Sequence, residues 1–240
     1  SLEGAFGAGS SGMPFRLLDV GSNNGFFSLQ TALHHPRAAV LGVEGSIGVG
    51  NGKVGLRGGT GEILATPAVR NHLTWARHLG LDNCCVAPEV WDYERVDGLL
   101  VGAKDERPVC DALLLLSVLH HIDRMSLPYY ESIGFSREEG LIELLARMLD
   151  LAPLLLIELP GPRDLRAAFK ACGGTPRGVL EAAAAATGRR WRLRGPLYEA
   201  KWFGPRELWE LEAEDRQQRL PGRLAVPWDD EAFPRRIDPA

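Results

Sequence analysis

The stretch from Leu17 to Ser28, read as LLDVGSNNGFFS, does most to limit what this chain can become. An apolar run ends in an acid, Gly21 and Gly25 flank three small polar positions, and a helical pattern starts at Phe26. That is the pattern of a buried strand turning sharply into a helix. Glycines without a Cβ let a ligand approach the backbone closely, and the first amide N–H groups of the helix face outward unpaired. An anionic group can dock there without a lysine. A dinucleotide fingerprint would need glycines at 21, 23 and 26, where the chain has Gly21, Asn23 and Phe26. A phosphate loop ending at Gly52-Lys53 fails too, because Ile47 stands where its first glycine belongs and Val54 where Ser or Thr is required.

Two further runs follow at regular intervals. Ala39-Val40-Leu41-Gly42-Val43-Glu44 is a second short apolar run ending in an acid, and its Glu44 comes 25 residues after Asp19, the length of one strand-helix-strand unit. A carboxylate at that strand end can accept two hydrogen bonds from a ribose diol, whether the nucleotide is NAD or another. Later come Asp111, an apolar strand, and the segment Ser117-Val118-Leu119-His120-His121; a fifth apolar run, Leu154 to Glu158, follows.

Together these segments resemble the class I S-adenosylmethionine-dependent methyltransferases. The first motif of that superfamily runs hydrophobic-hydrophobic-Asp-hydrophobic-Gly-x-Gly-x-Gly, and the chain reads LLDVGSNNG with Asn23 at the middle glycine. The segment S-x-L-H-H after the fourth strand is similar to the one that walls the methyl-transfer site in many members. The resemblance covers roughly residues 15 to 160 and implies an α/β fold. Its doubly wound, mostly parallel seven-stranded sheet would have helices on both faces and an antiparallel last strand. It also implies S-adenosylmethionine as cofactor. Gly21, Asn23 and Gly25 would shape the pocket for the methionine portion, Asp19 would lie near its ammonium group, Glu44 would take the ribose, and Ser117 would close the methionine side. Asp92, after the third strand, is the candidate for the adenine amine, and is equally well read as the N-cap of a helix starting at Tyr93.

For catalysis the candidates are His121, His120 and Glu158. A neutral imidazole can take a proton from a hydroxyl, phenol or amine, although such a histidine can equally hydrogen-bond the backbone. Glu158 ends the fifth strand, where open α/β sheets place their ligands. Arg163 and Arg166 can pair with an anionic substrate or line a solvated helix face.

Composition narrows the classes. A chain of 240 residues, 45% apolar, can bury one substantial core, and no apolar run approaches the ~20 residues of a membrane span. Four cysteines, Cys84 and Cys85 adjacent and Cys110 and Cys172 scattered, without C-x-x-C spacing point to reduced thiols, a cytoplasmic setting and no metal. The net charge of −4 argues against nonspecific nucleic-acid binding, although residues 163 to 201 carry nine Lys/Arg against three acids. The domain reading is a flexible segment over 1–12, a methyltransferase domain over 13–204, and a C-terminal helix with a Pro-rich tail over 205–240, the helix running from Arg206 to Arg219.

Local signals add detail. Thr66-Pro67 caps a helix to His78, and Ser136 with Glu139 opens another that runs to about Leu149. Eight glycines between Gly45 and Gly61 read as a mobile loop or a lid beside the ligand. Asp123 to Gly134 reads as a loop whose Tyr129 and Tyr130 touch substrate or pack on the domain edge. Trp191 to Arg194 reads as an antiparallel edge strand, with 198 to 203 as its partner.

The first functional reading is therefore methyl transfer to oxygen or nitrogen of a small-molecule acceptor. Its alternatives are an RNA acceptor of tRNA or cap type, a nicotinamide-dependent oxidoreductase, and a noncatalytic module with a methyltransferase-like pocket. The oxidoreductase fails on glycine spacing and on the lack of a Tyr-x-x-x-Lys pair. No membrane partner is expected.

Overall fold

A computed structural model describes residues 15–45, 60–103, 108–161, 165–200 and 206–215. They form the expected fold class, a seven-stranded, mostly parallel α/β sheet with helices around it. By compactness they divide into two units, residues 15–90 and 91–215.

In the first unit, β1 (Arg16–Val20), β2 (Ala39–Glu44) and β3 (Cys84–Pro88) lie in the order β3-β2-β1, all parallel. Continuous apolar runs suit strands covered on both faces, and Leu17, Leu18, Val20, Val40, Leu41 and Val43 are all buried. Parallel neighbours need crossover helices. These are α1 (Phe26–His34), then α2 (Thr60–Leu64) with α3 (Pro67–His78). The α3 N-cap is the expected Thr66, whose Oγ1 accepts from the Val69 N–H, with Pro67 at the first helical position. The Asn83 Nδ2 reaches the carbonyls of Ala32, His35 and Ala38 at 3.1, 3.3 and 3.0 Å, satisfying the end of α1 and the entry to β2.

In the second unit, β4 (Ala112–Leu115), β5 (Leu154–Pro160), β6 (Trp191–Ala200) and β7 (Arg206–Ala213) take the order β4-β5-β7-β6. β4 and β5 are parallel, and β7 is antiparallel to both β5 and β6. The helices are α4 (Tyr93–Ala103), α5 (Leu119–Ser132), α6 (Arg137–Leu151), α7 (Arg166–Ala171) and α8 (Pro176–Ala186). Ser136 and Glu139 form the reciprocal capping box at the start of α6.

Three local expectations are corrected. The helix expected from Arg206 is instead β7, whose Trp209, Leu211 and Ala213 alternate into the core. Its leucines fit a helical spacing equally well, and pairing on both sides decides for the strand. The partner expected for Trp191–Arg194 at 198–203 is β7 instead, and 198–200 continue β6. The loop expected over 123–134 is mostly α5, which runs through Pro128. An interior proline costs about 3 kcal/mol, and the buried stripe of Leu119, Ile122, Met125, Ser126 and Tyr130 offsets it. The glycine-rich loop other than Gly45, Thr60 and Gly61, the segment 1–12, the tail from 216, Arg163 and the Arg166 side chain lie outside the description.

Candidate functional site

In the first unit the turn between β1 and α1 is held from beneath. Gly21, Asn23 and Gly25 take left-handed backbone, with φ of 77°, 51° and 79°. Asparagine is among the few residues that tolerate it, which is how Asn23 stands in for a glycine. The N–H groups of Gly21 and Ser22 both donate to the Val43 carbonyl at 2.8 and 3.0 Å, tying the turn to β2. The Asn23 N–H donates to Glu44 Oε2 at 2.6 Å. Glu44 is only 4% exposed, and this bond joins the strand-end acid to the turn.

Helix α1 starts from Gly25 without a side-chain cap and with no acid in its first turn. Helices α3, α4, α6 and α8 are each capped by a side chain, from Thr66, Asp92, Ser136 and Thr175, whereas α5, entered from Val118, shares the bare start of α1. In the first turn of α1 the Ser28 N–H meets the Asp19 carboxylate, and an anion can dock at the N–H groups that precede it.

Asp19 lies under the turn at 2% exposure, its Oδ2 accepting the Ser28 hydroxyl at 2.6 Å. Burial raises its pKa to about 6 against the pull of the Ser28 hydroxyl and N–H. Asp19, Gly21, Asn23, Gly25 and Glu44 are therefore gathered in one place.

Sequence reasoning passed over His72 in the same unit. Its ring is fully buried, with Nδ1 3.5 Å from Ser22 Oγ and Nε2 3.5 Å from Cys84 Sγ. Burial lowers its pKa to about 4 and pushes the Cys84 thiol up, so imidazole and thiol both stay neutral. The available signal was its place at i+3 and i+4 from Val69 and Ala68 on the apolar stripe of α3.

In the second unit, Ser117 follows β4 with φ of 57°, a strained value for serine. Its hydroxyl donates to Glu158 Oε1 at 2.7 Å. Arg206, at the start of β7, donates from Nη1 to both Ser117 Oγ and Glu158 Oε1, at 2.9 and 3.1 Å. Three strand ends are thereby joined by one charged network. Arg206 went unnoticed because its segment read as a helix. His120 and His121 begin α5 with ring centroids 4.0 Å apart.

The Asp92 Oδ1 accepts the Arg95 N–H at 2.9 Å, the helix-cap geometry. Tyr129 stacks on Tyr93 at 5.1 Å, and Tyr130 is buried edge-on to the same ring, so both tyrosines pack within the second unit. Below them Asp123 is fully buried and bonded to Arg137 at 2.6 Å, its pKa nonetheless raised by burial. Among the described residues, no group of three His, Cys, Asp or Glu side chains could hold a metal ion, and no helix is long and apolar enough to cross a membrane.

No protein-family model matches the chain, and no curated protein sequence matches it. Among solved structures, the bifunctional kinase-methyltransferase WbdD superposes with a TM-score of 0.53 at 19% identity, over 86% of this chain and 36% of WbdD. A structure of monomeric WbdD gives 0.52 at 18% identity, over 88% of this chain and 40% of that one. Magnesium protoporphyrin IX methyltransferase from Synechocystis PCC 6803, with bound S-adenosylmethionine, gives 0.46 at 12% identity, over 88% and 76%. The chain therefore spans 36 to 40% of the length of these two WbdD chains.

Proposed function

Because the chain has the class I S-adenosylmethionine-dependent methyltransferase fold, we propose that it transfers a methyl group from S-adenosylmethionine to oxygen or nitrogen of a small-molecule acceptor. The observation that carries this reading is the Glu44 carboxylate bonded to the Asn23 N–H, which joins a diol-binding acid to an anion-binding turn. The likeness to one structure of the bifunctional kinase-methyltransferase WbdD supports the same reading.

Bound at the turn, S-adenosylmethionine supplies an electrophilic methyl on a sulfonium. This chain's residues bind, orient and exclude water. The Gly21–Gly25 turn and the uncapped start of α1 take the carboxylate, Asp19 offers negative charge to the ammonium, and Glu44 accepts from the ribose. In the second unit, Asp92 takes the adenine amine. Ser117 closes the methionine side. His121 or His120 takes the acceptor's proton at a ring nitrogen. Glu158 orients the acceptor through the oxygen that Arg206 and Ser117 leave free, since both bonds use Oε1. An acceptor on RNA is the second reading, resting on the basic balance of residues 163 to 201.

Calorimetric titration with S-adenosylmethionine, S-adenosylhomocysteine and NAD tests it. The first two should bind, NAD should not, and Glu44→Ala should weaken both by about tenfold or more through loss of charged hydrogen bonds. Failure of the wild-type chain to bind either adenosyl ligand would sink the proposal.

A further inference from the structure

His72 has no part in the mechanism above, yet the turn is built over it. A Cβ added to Gly25 would overlap the His72 ring, and one added to Gly42 would stand 2.7 Å from its Cε1 and 2.7 Å from Ser22 Oγ. The space beneath both glycines is thus occupied by one flat side chain. Gly42 lies in β2, paired with Asp19 of β1, so the ring lies close to both strands as well as the turn.

A phenyl ring would fill the same volume without the desolvation that lowers the imidazole's pKa. What histidine adds is its two nitrogens, one facing Ser22 Oγ and the other Cys84 Sγ, each at the outer limit of hydrogen-bonding distance. A neutral imidazole has one N–H and one lone pair, so it links hydroxyl and thiol in a single direction. Ser22 is itself fixed through its N–H to Val43. The chain Cys84–His72–Ser22 therefore runs from β3 through α3 into the turn.

We propose that His72 is a positioning residue for the cofactor turn. Its ring sets the height of backbone 21–25 above β2, and its nitrogens hold Ser22 in place, so that ligand affinity depends on the imidazole and not only on its volume. The ligand part of this inference rests on the methyltransferase reading.

The test compares His72→Phe, which keeps the volume and loses the nitrogens, with His72→Gln, which restores a donor and an acceptor. Three quantities are measured on the whole chain: thermal midpoint, amide hydrogen exchange of residues 21–25 without ligand, and the Kd for S-adenosylhomocysteine. The phenylalanine variant should unfold within a few degrees of wild type while its turn amides exchange, and its ligand dissociates, about tenfold more readily, as for a site loosened by a fraction of an ångström. The glutamine variant should recover part of both.

Unchanged exchange and affinity in His72→Phe would overturn the proposal, as would losses that merely follow a lowered thermal midpoint. A wild-type chain that fails to bind S-adenosylhomocysteine would overturn the methyltransferase reading and the ligand part with it. The exchange comparison then still decides whether the ring holds the turn.

Discussion

Asp19→Asn should stabilise this protein at alkaline pH. Burial raises the Asp19 pKa from 3.8 to about 6, so at pH 8 the folded chain carries an ionised carboxylate that it would rather keep neutral. A shift of about two units corresponds to about 3 kcal/mol. The sign follows from proton uptake. Between pH 3.8 and about 6 the folded state holds more protons than the unfolded one, so this group favours folding in acid and the advantage disappears as pH rises through that window. His72 acts oppositely: its pKa falls from 6.5 to about 4, and its contribution is present above 6.5 and lost as pH drops toward 4. In the wild type the two slopes nearly cancel. Asparagine removes one of them and keeps an oxygen for the Ser28 hydroxyl. Urea unfolding from pH 4 to pH 8 should then show the variant about 2–3 kcal/mol more stable at pH 8, little changed at pH 4, and rising with pH between 4 and 6.5, where the wild type is flatter. The same variant should bind S-adenosylhomocysteine less well, because the charge removed is the one assigned to its ammonium. A variant no more stable than wild type at pH 8, at unchanged m, would refute the reasoning.

Other perturbations separate the remaining assignments. Removing Arg137 leaves the Asp123 carboxylate, which is fully buried, without its cation; Arg137→Ala should cost about 2–3 kcal/mol in urea unfolding at pH 7 and less in acid, where Asp123 takes up a proton. Arg206→Ala removes the cation from Glu158 and leaves it the Ser117 hydroxyl, and a loss of about 1–2 kcal/mol in the same assay is expected for this part-buried pair. Leu211→Ala should cost about 3 kcal/mol and Leu208→Ala clearly less, because β7 buries Leu211 completely and Leu208 only in part. On a helix the two, three apart, would share a face, and equal losses would contradict the strand.

What the sequence made legible was local. The glycine turn, the caps at Thr66 and Ser136, and Glu44 at the end of an apolar run each declare themselves within a few residues, because cap and turn chemistry is short-ranged. The parallel order followed from the resemblance and from strand-helix alternation. The three misreadings share a cause. Proline within α5, the strand character of β7 and the pairing of β6 are all decided by partners distant in sequence, where local propensity points elsewhere. His72 and Arg206 belong with them. One looks like an ordinary helix residue until the turn is folded over it, and the other acquires its role only when β7 lies against the end of β5.

The order β5-β7-β6 also bears on synthesis. The strand that covers the free side of β5 begins at Arg206, after β6 has already been made, and among the described residues β6 itself pairs only with β7. During translation at ~5–20 residues per second, the backbone groups along that side of β5 stay without their partner for roughly two to nine seconds. Until β7 arrives, both strands present open edges of the kind that recruit other chains. A nascent chain stalled ahead of Arg206 is therefore the form of this protein most exposed to aggregation, and the one with most need of a chaperone.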